Sequence, residues 1–250
     1  MIDTAAFYQN EEQVGDGIKA ANVARDDVFV TTKLWLTDWG YDAALRAFDA
    51  SARKLGIDLV DLYLLHFPNP SDWANTIASY RAAEQLLADG RVRAIDVWNF
   101  KPEHLDALLS EVDTVPAVNQ IELHPFFAQP AMRAKNAELG IITQAWSPIG
   151  GVRMNYAPVA EDQQPLNSPV LREIGDRHGK STAQVILRWH LQHGISAIPK
   201  SVRPERIAEN FDVFDFDLTA DDMAAIDGLD TGERGGPDPD IVDAKSFAGA

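Results

Sequence analysis

Between residues 28 and 198, short apolar runs alternate with amphipathic stretches, and a glycine stands at most of the joins. The runs are Val28–Leu34, Val60–Leu65, Val92–Val97, Ala117–Ile121, Ile141–Ala145 and Ile195–Ile198. Several are apolar almost throughout, the pattern of strands covered on both faces in a parallel sheet. Of the stretches between them, Asp42–Leu55 places Leu45, Phe48, Ala52 and Leu55 on one helical face, with Asp42 as the expected N-cap. Trp73–Ala88 does the same with Ile77, Tyr80 and Leu87. Gly56, Gly90, Gly140 and Gly194 each close a helical stretch just ahead of a strand, and Ser168-Pro169 opens one. The β–α unit therefore recurs every ~30 residues. With Met1–Thr4 as a strand end and Glu11–Ala21 as a helix, the pattern accommodates seven strands. A closed barrel of parallel strands has one more. The expected fold is thus α/β, a (β/α)8 TIM-type barrel lacking its first β/α unit. No linker or low-complexity segment divides the chain, which reads as a single domain over residues 1–250. The Gly/Pro-rich stretch Gly232–Asp240 predicts a surface loop ahead of a mobile tail.

Composition narrows the function. The chain has 250 residues, a length one α/β barrel can fill. Its 22 Lys+Arg against 38 Asp+Glu give a formal net charge of −16. That charge opposes phosphate backbones and anionic lipid surfaces, so no nucleic-acid or membrane partner is expected, and an anionic ligand needs a local cationic pocket. There is no Cys, which excludes disulfides, thiolate catalysis and Cys-ligated metals and fits a cytoplasmic protein. No stretch approaches the ~20 apolar residues of a membrane span, and the first residues lack the pattern of a signal peptide. The six His show no metal-ligand spacing, so no metal is expected; His124, before Pro125, reads as structural. No Gly-x-Gly-x-x-Gly follows a strand, which argues against a Rossmann site.

Barrels place their chemistry at the C-terminal ends of the strands. Asp3 and Tyr8 flank the first such end, Lys33 closes Phe29–Lys33, and His66 closes Leu62–His66. Singly, each has a plain reading: Tyr8 as amphipathic packing, Lys33 as a snorkelling strand end, His66 as a structural imidazole, Asp3 as a turn residue. Together they suggest acid–base work. A buried ammonium beside a phenol is expected to lower the Tyr8 pKa toward neutrality, with Asp3 keeping Lys33 charged. A Tyr so tuned can protonate a carbonyl oxygen, which His66 would orient. Trp35 and Phe67 read as apolar walls for a substrate, or as packing under loops. Lys200, Ser201 and Arg206 bring two cations and a hydroxyl to a strand-to-helix junction, where helix-start N–H groups add positive potential. The plainer reading of that cluster is a solvated helix start.

Several motifs stand in order along the chain. They are Ile2-Asp3-Thr4-Ala5, Tyr8-Gln9-Asn10-Glu11, Thr32-Lys33-Leu34-Trp35, Leu65-His66-Phe67-Pro68, Asn119-Gln120-Ile121-Glu122, Ala145-Trp146-Ser147-Pro148 and Ile198-Pro199-Lys200-Ser201. In order and spacing this set resembles the aldo-keto reductase family, in particular bacterial members of the group that includes 2,5-diketo-gluconate reductases. The ending Thr231-Gly232-Glu233-Arg234-Gly235-Gly236-Pro237 resembles actinobacterial members. The resemblance covers essentially the whole chain. It implies an NADPH-dependent oxidoreductase that reduces aldehyde, ketone or keto-sugar carbonyls, acting as a monomer on small molecules. By the same resemblance Tyr8 is the general acid, Lys33 its pKa tuner, Asp3 the partner of Lys33, and His66 the carbonyl-orienting group. Asn99 and Gln120 match positions that hold the nicotinamide carboxamide, Trp146 the residue that stacks on its ring, and Ser147 and Ile149 positions near the pyrophosphate. Lys200, Ser201 and Arg206 match the adenosine 2′-phosphate site, Val202 a further cofactor-binding position, and Glu209 and Asn210 the adenine contacts.

The sequence departs from that pattern in three places. The family has a further β/α unit ahead of the segment at Met1. Where the family reads Ile-Gly-Val-Ser-Asn-Phe, this chain reads Ile95-Asp96-Val97-Trp98-Asn99-Phe100. Asp96 is expected to be a buried, unpaired carboxylate, and Trp98 to crowd the carboxamide site. Two other functions compete with reduction. One is a catalytically impaired binding or scaffold protein of the same fold. The other, far behind, is a lyase or aldolase using Lys33 as a Schiff base.

Overall fold

A computed structural model describes residues 1–150, 164–243 and 245–246. They form two compact units. The first comprises Met1–Asn119, Leu139–Ile141 and Pro239–Ala250, and the second Gln120–Glu138 and Ile142–Asp238.

In the first unit strands β1 (Ile2–Asp3), β2 (Val30–Leu34), β3 (Val60–His66) and β4 (Val92–Trp98) pair in parallel, each with the next. Helices α1 (Glu11–Ala20), α2 (Tyr41–Leu55), α3 (Trp73–Ala88) and α4 (Pro102–Leu109) follow them in turn. Every residue of β2 and β3 is buried, as the apolar runs require of strands covered on both faces. Phe48 and Leu55 of α2 and Tyr80 and Leu86 of α3 supply the helical side of the core. The registers Lys33↔Leu64 and His66↔Trp98 bring the ends of β2, β3 and β4 level.

β5 (Val118–Glu122) begins in the first unit and its last three residues count with the second. The second unit holds α5 (Pro130–Glu138), β6 (Ile142–Trp146), α6 (Pro169–His178), α7 (Thr182–Gln192), β7 (Ser196–Ala197), α8 (Pro204–Phe211) and α9 (Ala220–Asp227). β6 and β7 are parallel through Gln144↔Ser196 and Ala145↔Ala197. Ser168 caps α6 with Pro169 at its first position, as expected. Asp222 joins the two flanking helices. It caps α9 with Thr219 and binds Arg177 and His178 of α6, which holds its carboxyl well below the usual range.

Seven strands are present among the described residues, as expected, with adjusted ends. β2 starts at Val30 rather than Val28, because Val28 N–H closes a 3-10 turn on Arg25 O at 3.2 Å. β7 is only two residues long, although Ile198 N–H still reaches Ala145 O. Asp42 is not the N-cap of α2. Gly40 is, and Asp42 sits in the first turn, where its charge still favours the helix start. In α3 it is Leu86, not Leu87, that is fully buried. Gly56, Gly90, Gly140 and Gly194 have φ of 66°, 67°, 70° and 68°, the left-handed conformation read from the sequence. The stretch Gly232–Asp240 is more than a surface loop, since Gly236 and Pro239 are buried. Of the expected mobile tail, residues 244 and 247–250 lie outside the described residues.

Asp96 is fully buried on β4, but its carboxyl is not unpaired. Oδ1 accepts the Val118 N–H at 2.6 Å, and the Ala117 amide also contributes; Oδ2 has no partner among the described residues. Burial raises its pKa well above the ordinary carboxyl value, and the two amides offset only part of that. A folded-state pKa above the unfolded one favours the folded protein at low pH. That contribution is full below the unfolded pKa of about 4 and is lost as pH rises through the folded value. Asp96→Asn, which cannot ionise and keeps an oxygen for Val118, should therefore raise Tm at pH 8 by roughly 2–6 °C while changing it little at pH 4.5. Thermal unfolding followed by circular dichroism at the two pH values checks this. An equal shift at both would show that ionisation of Asp96 is not what matters.

Candidate functional site

The ends of the first unit's strands gather one charge pair, one phenol, one imidazole and a set of aromatic rings. Lys33, at the penultimate position of β2, is fully buried. Its ammonium donates to Asp3 Oδ1, and to Thr4 O at 3.0 Å. Tyr8 ends a 3-10 turn, Ala6–Tyr8, that leaves β1, and Lys33 Nζ lies 5.0 Å from the centre of its ring. That turn is fastened by residues that stand in the sequence motifs but to which the sequence alone assigned no role. Thr4 Oγ1 donates to Asn10 Oδ1 at 2.6 Å, and Thr32 Oγ1 to the buried Glu11 Oε1 at 2.7 Å.

The expected direction for Tyr8 is reversed. Its pKa is raised, not lowered toward neutrality. Desolvation of the hydroxyl is the largest cause, although 46% of the residue's surface remains exposed. Lys33 lowers the pKa through its charge and a hydrogen bond, but Asp3 works against it. The ammonium is already paired with Asp3, so its net pull on the phenol is weak. Tyr8 therefore keeps its proton at neutral pH.

His66 ends β3 and is buried. Five aromatic side chains ring it: Trp98 at 4.7 Å, Trp35 at 5.0 Å, Phe67 at 5.6 Å, Tyr8 at 6.1 Å and Phe7 at 6.4 Å between ring centres. Phe7 stacks on Trp35 at 4.0 Å. Trp98, on β4, sits edge-on to both His66 and Phe67 and so forms part of this aromatic wall. Burial, followed by repulsion from Lys33, pushes the His66 pKa well below its ordinary value. Nδ1 finds no partner among the described residues.

The strand ends are also backbone-strained. Phe67 follows β3 at φ 96°, Asn99 follows β4 at 56°, and Ser147 follows β6 at 47°. In each case the carbonyl of the next residue is taken by a fully buried side chain. Thr76 Oγ1 donates to Pro68 O at 2.6 Å, Asn119 Nδ2 to Phe100 O at 3.0 Å, and His190 Nε2 to Pro148 O at 2.9 Å. The sequence marked neither Thr76 nor His190, and it showed Asn119 only as part of a motif, without this role. Strain of this kind clusters at functional sites.

Within the second unit Gln120 is fully buried and donates to Gln144 Oε1 at 2.6 Å. Trp146 ends β6, followed by the strained Ser147 and the half-buried Ile149. Lys200, Val202 and Arg206 are exposed around the start of α8, Ser201 is half-buried, and Ser201 Oγ accepts the Arg203 N–H at 3.2 Å. Glu209 and Asn210 lie in the last turn of α8, partly covered. The structure thus brings Asp3, Tyr8, Lys33, Trp35, His66 and Phe67 together in one unit, with Asn99 following β4 there. It places Gln120, Trp146, Ser147, Ile149 and the α8 residues in the other. Among the described residues no cluster of His, Asp and Glu suits a metal ion, and no helix is long and apolar enough to cross a membrane.

A neutral imidazole here makes a direct prediction. The His66 ring signals in an NMR titration should not shift between pH 5.5 and pH 8. A midpoint near the ordinary value of about 6.5 would contradict the burial argument.

Comparison with known proteins is consistent across sequence and structure. Residues 1–231 match the model of the aldo/keto reductase family. Morphine 6-dehydrogenase of Pseudomonas putida is 57% identical over 251 residues, 99% of this chain and 84% of that protein. An aldo/keto reductase structure from Brucella melitensis superposes with a TM-score of 0.84 at 47% identity, covering 92% of this chain and 84% of that one. The Bombyx mori aldo-keto reductase in complex with NADP gives 0.85 at 36% identity, covering 99% and 82%. The fold is accordingly α/β of the (β/α)8 barrel type, seven of whose strands the described residues carry.

Proposed function

The chain belongs to the aldo/keto reductase family, and from that premise we propose that it reduces aldehyde, ketone or keto-sugar carbonyls to alcohols with NADPH, Tyr8 serving as the general acid. The observation that carries this reading is the pairing at the end of β2: a fully buried ammonium, bound to Asp3 and lying against the Tyr8 ring. NADPH supplies the hydride when bound. The protein's own residues do the rest. Tyr8 holds a proton at its hydroxyl for the oxygen of the carbonyl. His66, kept neutral by burial and by Lys33, presents an uncharged hydrogen-bonding edge to that oxygen. The surrounding Phe7, Trp35, Phe67 and Trp98 exclude water, which strengthens both interactions. These walls offer flat apolar contact, which suits the ring or apolar part of a carbonyl substrate. A relative named for the dehydrogenation of morphine, a molecule with fused rings, fits such walls.

The residues of the second unit suit a nicotinamide dinucleotide phosphate. On a chain of net charge −16, Lys200 and Arg206 stand exposed at the start of α8, beside the Ser201 hydroxyl and the free amides of a helix N-terminus. They would hold the 2′-phosphate with Val202 beside them, and Glu209 and Asn210 would meet the adenine. Gln120 would meet the carboxamide, Trp146 the face of the ring, and Ser147 and Ile149 the pyrophosphate. The family match spans both units, which supports reading the chain as one barrel domain. The same reading makes the partner a small molecule, the state monomeric and the compartment cytoplasmic.

Loss of absorbance at 340 nm with NADPH and a panel of aldehydes and ketones tests the proposal. Tyr8→Phe removes only the transferable proton and should lower kcat by about 10²–10⁴-fold with little change in the affinity for NADPH. Full activity in Tyr8→Phe would rule out this general acid. The Trp98→Ala variant should shift kcat/KM toward bulkier carbonyls relative to small ones by about 10-fold, the scale of a remodelled apolar contact. An unchanged ratio would remove Trp98 from the substrate wall.

A further inference from the structure

The stretch Arg234–Gly236 matched a motif in the sequence but has no part in the reading above. In the structure it is tied to a residue 114 positions away. Glu122, the last residue of β5, is fully buried. Its Oε1 accepts the Gly235 N–H at 2.9 Å and its Oε2 the Gly236 N–H at 2.8 Å. His124 Nε2 lies 3.3 Å from Oε1 and Arg234 Nη1 3.9 Å from Oε2. Two successive amides on one carboxyl fix both the position and the orientation of the peptide between them. The guanidinium of Arg234 lies 5.0 Å from the centre of the Phe127 ring, which holds the front of the segment.

This strap presses on Trp146. A Cβ built at position 236 would overlap Cη2 of the indole and lie 2.9 Å from Glu122 Oε2. Glycine is therefore required by close approach, not by backbone conformation. The backbone beneath Trp146 is fixed separately. Leu123 N–H reaches Trp146 O at 3.4 Å, and His190 takes the carbonyl of Pro148. A fixed backbone leaves the two side-chain torsions of an indole free, and the far edge of the ring is the place to fix them.

We propose that Glu122 is a positioning residue: through the Gly235–Gly236 strap it sets the plane of the Trp146 indole and so preforms the surface that receives the nicotinamide. This rests on the reading of Trp146 as the stacking residue. The gain is preorganisation, since a ring already held in its binding rotamer loses no freedom when the cofactor arrives. The strap also makes the cofactor surface depend on a segment about 90 residues further along the chain.

The test compares Gly236→Ala, Glu122→Gln and Glu122→Ala with the wild type. In the free proteins, hydrogen exchange at the Gly235 and Gly236 amides and the near-UV circular dichroism of tryptophan report the strap and the ring. NADPH titrations followed by Trp fluorescence report binding. Glu122→Ala should release both amides, flatten the tryptophan band and weaken NADPH binding about 10-fold, with the melting of the whole chain still cooperative. Glu122→Gln keeps one acceptor and should fall between it and the wild type. Gly236→Ala, which leaves Glu122 in place, should alter the tryptophan band and weaken NADPH by a similar factor. If Glu122→Ala does not fold, the other two variants still decide. Unchanged amide exchange and an unchanged tryptophan band in Glu122→Gln and Gly236→Ala would overturn the proposal. Trp146→Phe separates the two ideas. If it leaves NADPH quenching intact, Trp146 is not the stacking residue and the proposal's cofactor role falls with it, whereas lost quenching alongside insensitive strap variants sinks the strap alone.

Discussion

An ammonium with no access to solvent has to be met by charge and by hydrogen bonds, and Lys33 finds both where the shortest strand of its unit ends. Asp3 gives the countercharge and Thr4 the carbonyl. Removing one partner of such a buried pair costs several kcal/mol, far more than a two-residue strand gains from its own ladder. The register of β1 on β2, Ile2↔Val30 and Asp3↔Thr31, is thus as much a consequence of the ion pair as its cause. The turn that carries Tyr8 leaves directly from this pair, with Asn10 and Glu11 fastened to Thr4 and Thr32 beside it. Charge pairing, strand register and placement of the phenol form a single arrangement. It also sets the protonation of the phenol. Because Asp3 satisfies Lys33, the phenol is left with the cost of its own burial and stays protonated.

A second constraint recurs at three strand ends. A non-glycine residue forced to positive φ costs of order 1–3 kcal/mol, and Phe67 at 96° is the severest of the three. One buried hydrogen bond contributes a net of roughly 0.5–1.5 kcal/mol. Thr76, Asn119 and His190 therefore offset part of the strain, and packing must supply the remainder, as the near-complete burial of Phe67 and Asn99 shows. The effect is to turn the chain sharply where each strand stops. Each turn then presents a side chain at the strand's end rather than letting it continue along the ladder. His190 can serve only as an uncharged imidazole. Burial brings its pKa down to about 3, and the bond to the Pro148 carbonyl assigns the proton to Nε2.

The sequence was legible where the physics is local. Alternating apolar runs and helical stripes located the strands and helices, and four glycines before strands marked helix ends that the backbone confirms. The candidates at the strand ends were visible because a polar residue closing an apolar run is itself a local signal. What could not be read depends on partners distant in sequence. The hold of Thr76 on Pro68 spans 8 residues, that of His190 on Pro148 spans 42, and that of Glu122 on Gly236 spans 114. The direction of the Tyr8 shift was missed for a related reason. The attraction of Lys33 follows from two residue types, whereas desolvation and the screening by Asp3 depend on how all three are enclosed.

The two unusual residues of β4 show how the fold absorbs a local change. Asp96 and Trp98 are two apart on a strand, so a slip of one residue would have moved both to the opposite face. The register has not slipped, because Leu64↔Asp96 and His66↔Trp98 remain paired. Each side chain is instead met by what already surrounds it. The carboxyl takes amide protons at the start of β5, and the indole joins rings that enclose His66. The first solution is costly at neutral pH, because it works best with Asp96 protonated. The second carries no such penalty, since an indole set edge-on against two rings gains contact area and favourable quadrupole alignment. A strand that keeps its register while taking in both residues is held by its neighbours more strongly than either residue disturbs it. That neighbouring ladder, β3 against β4, is also the one that brings His66 and Trp98 level.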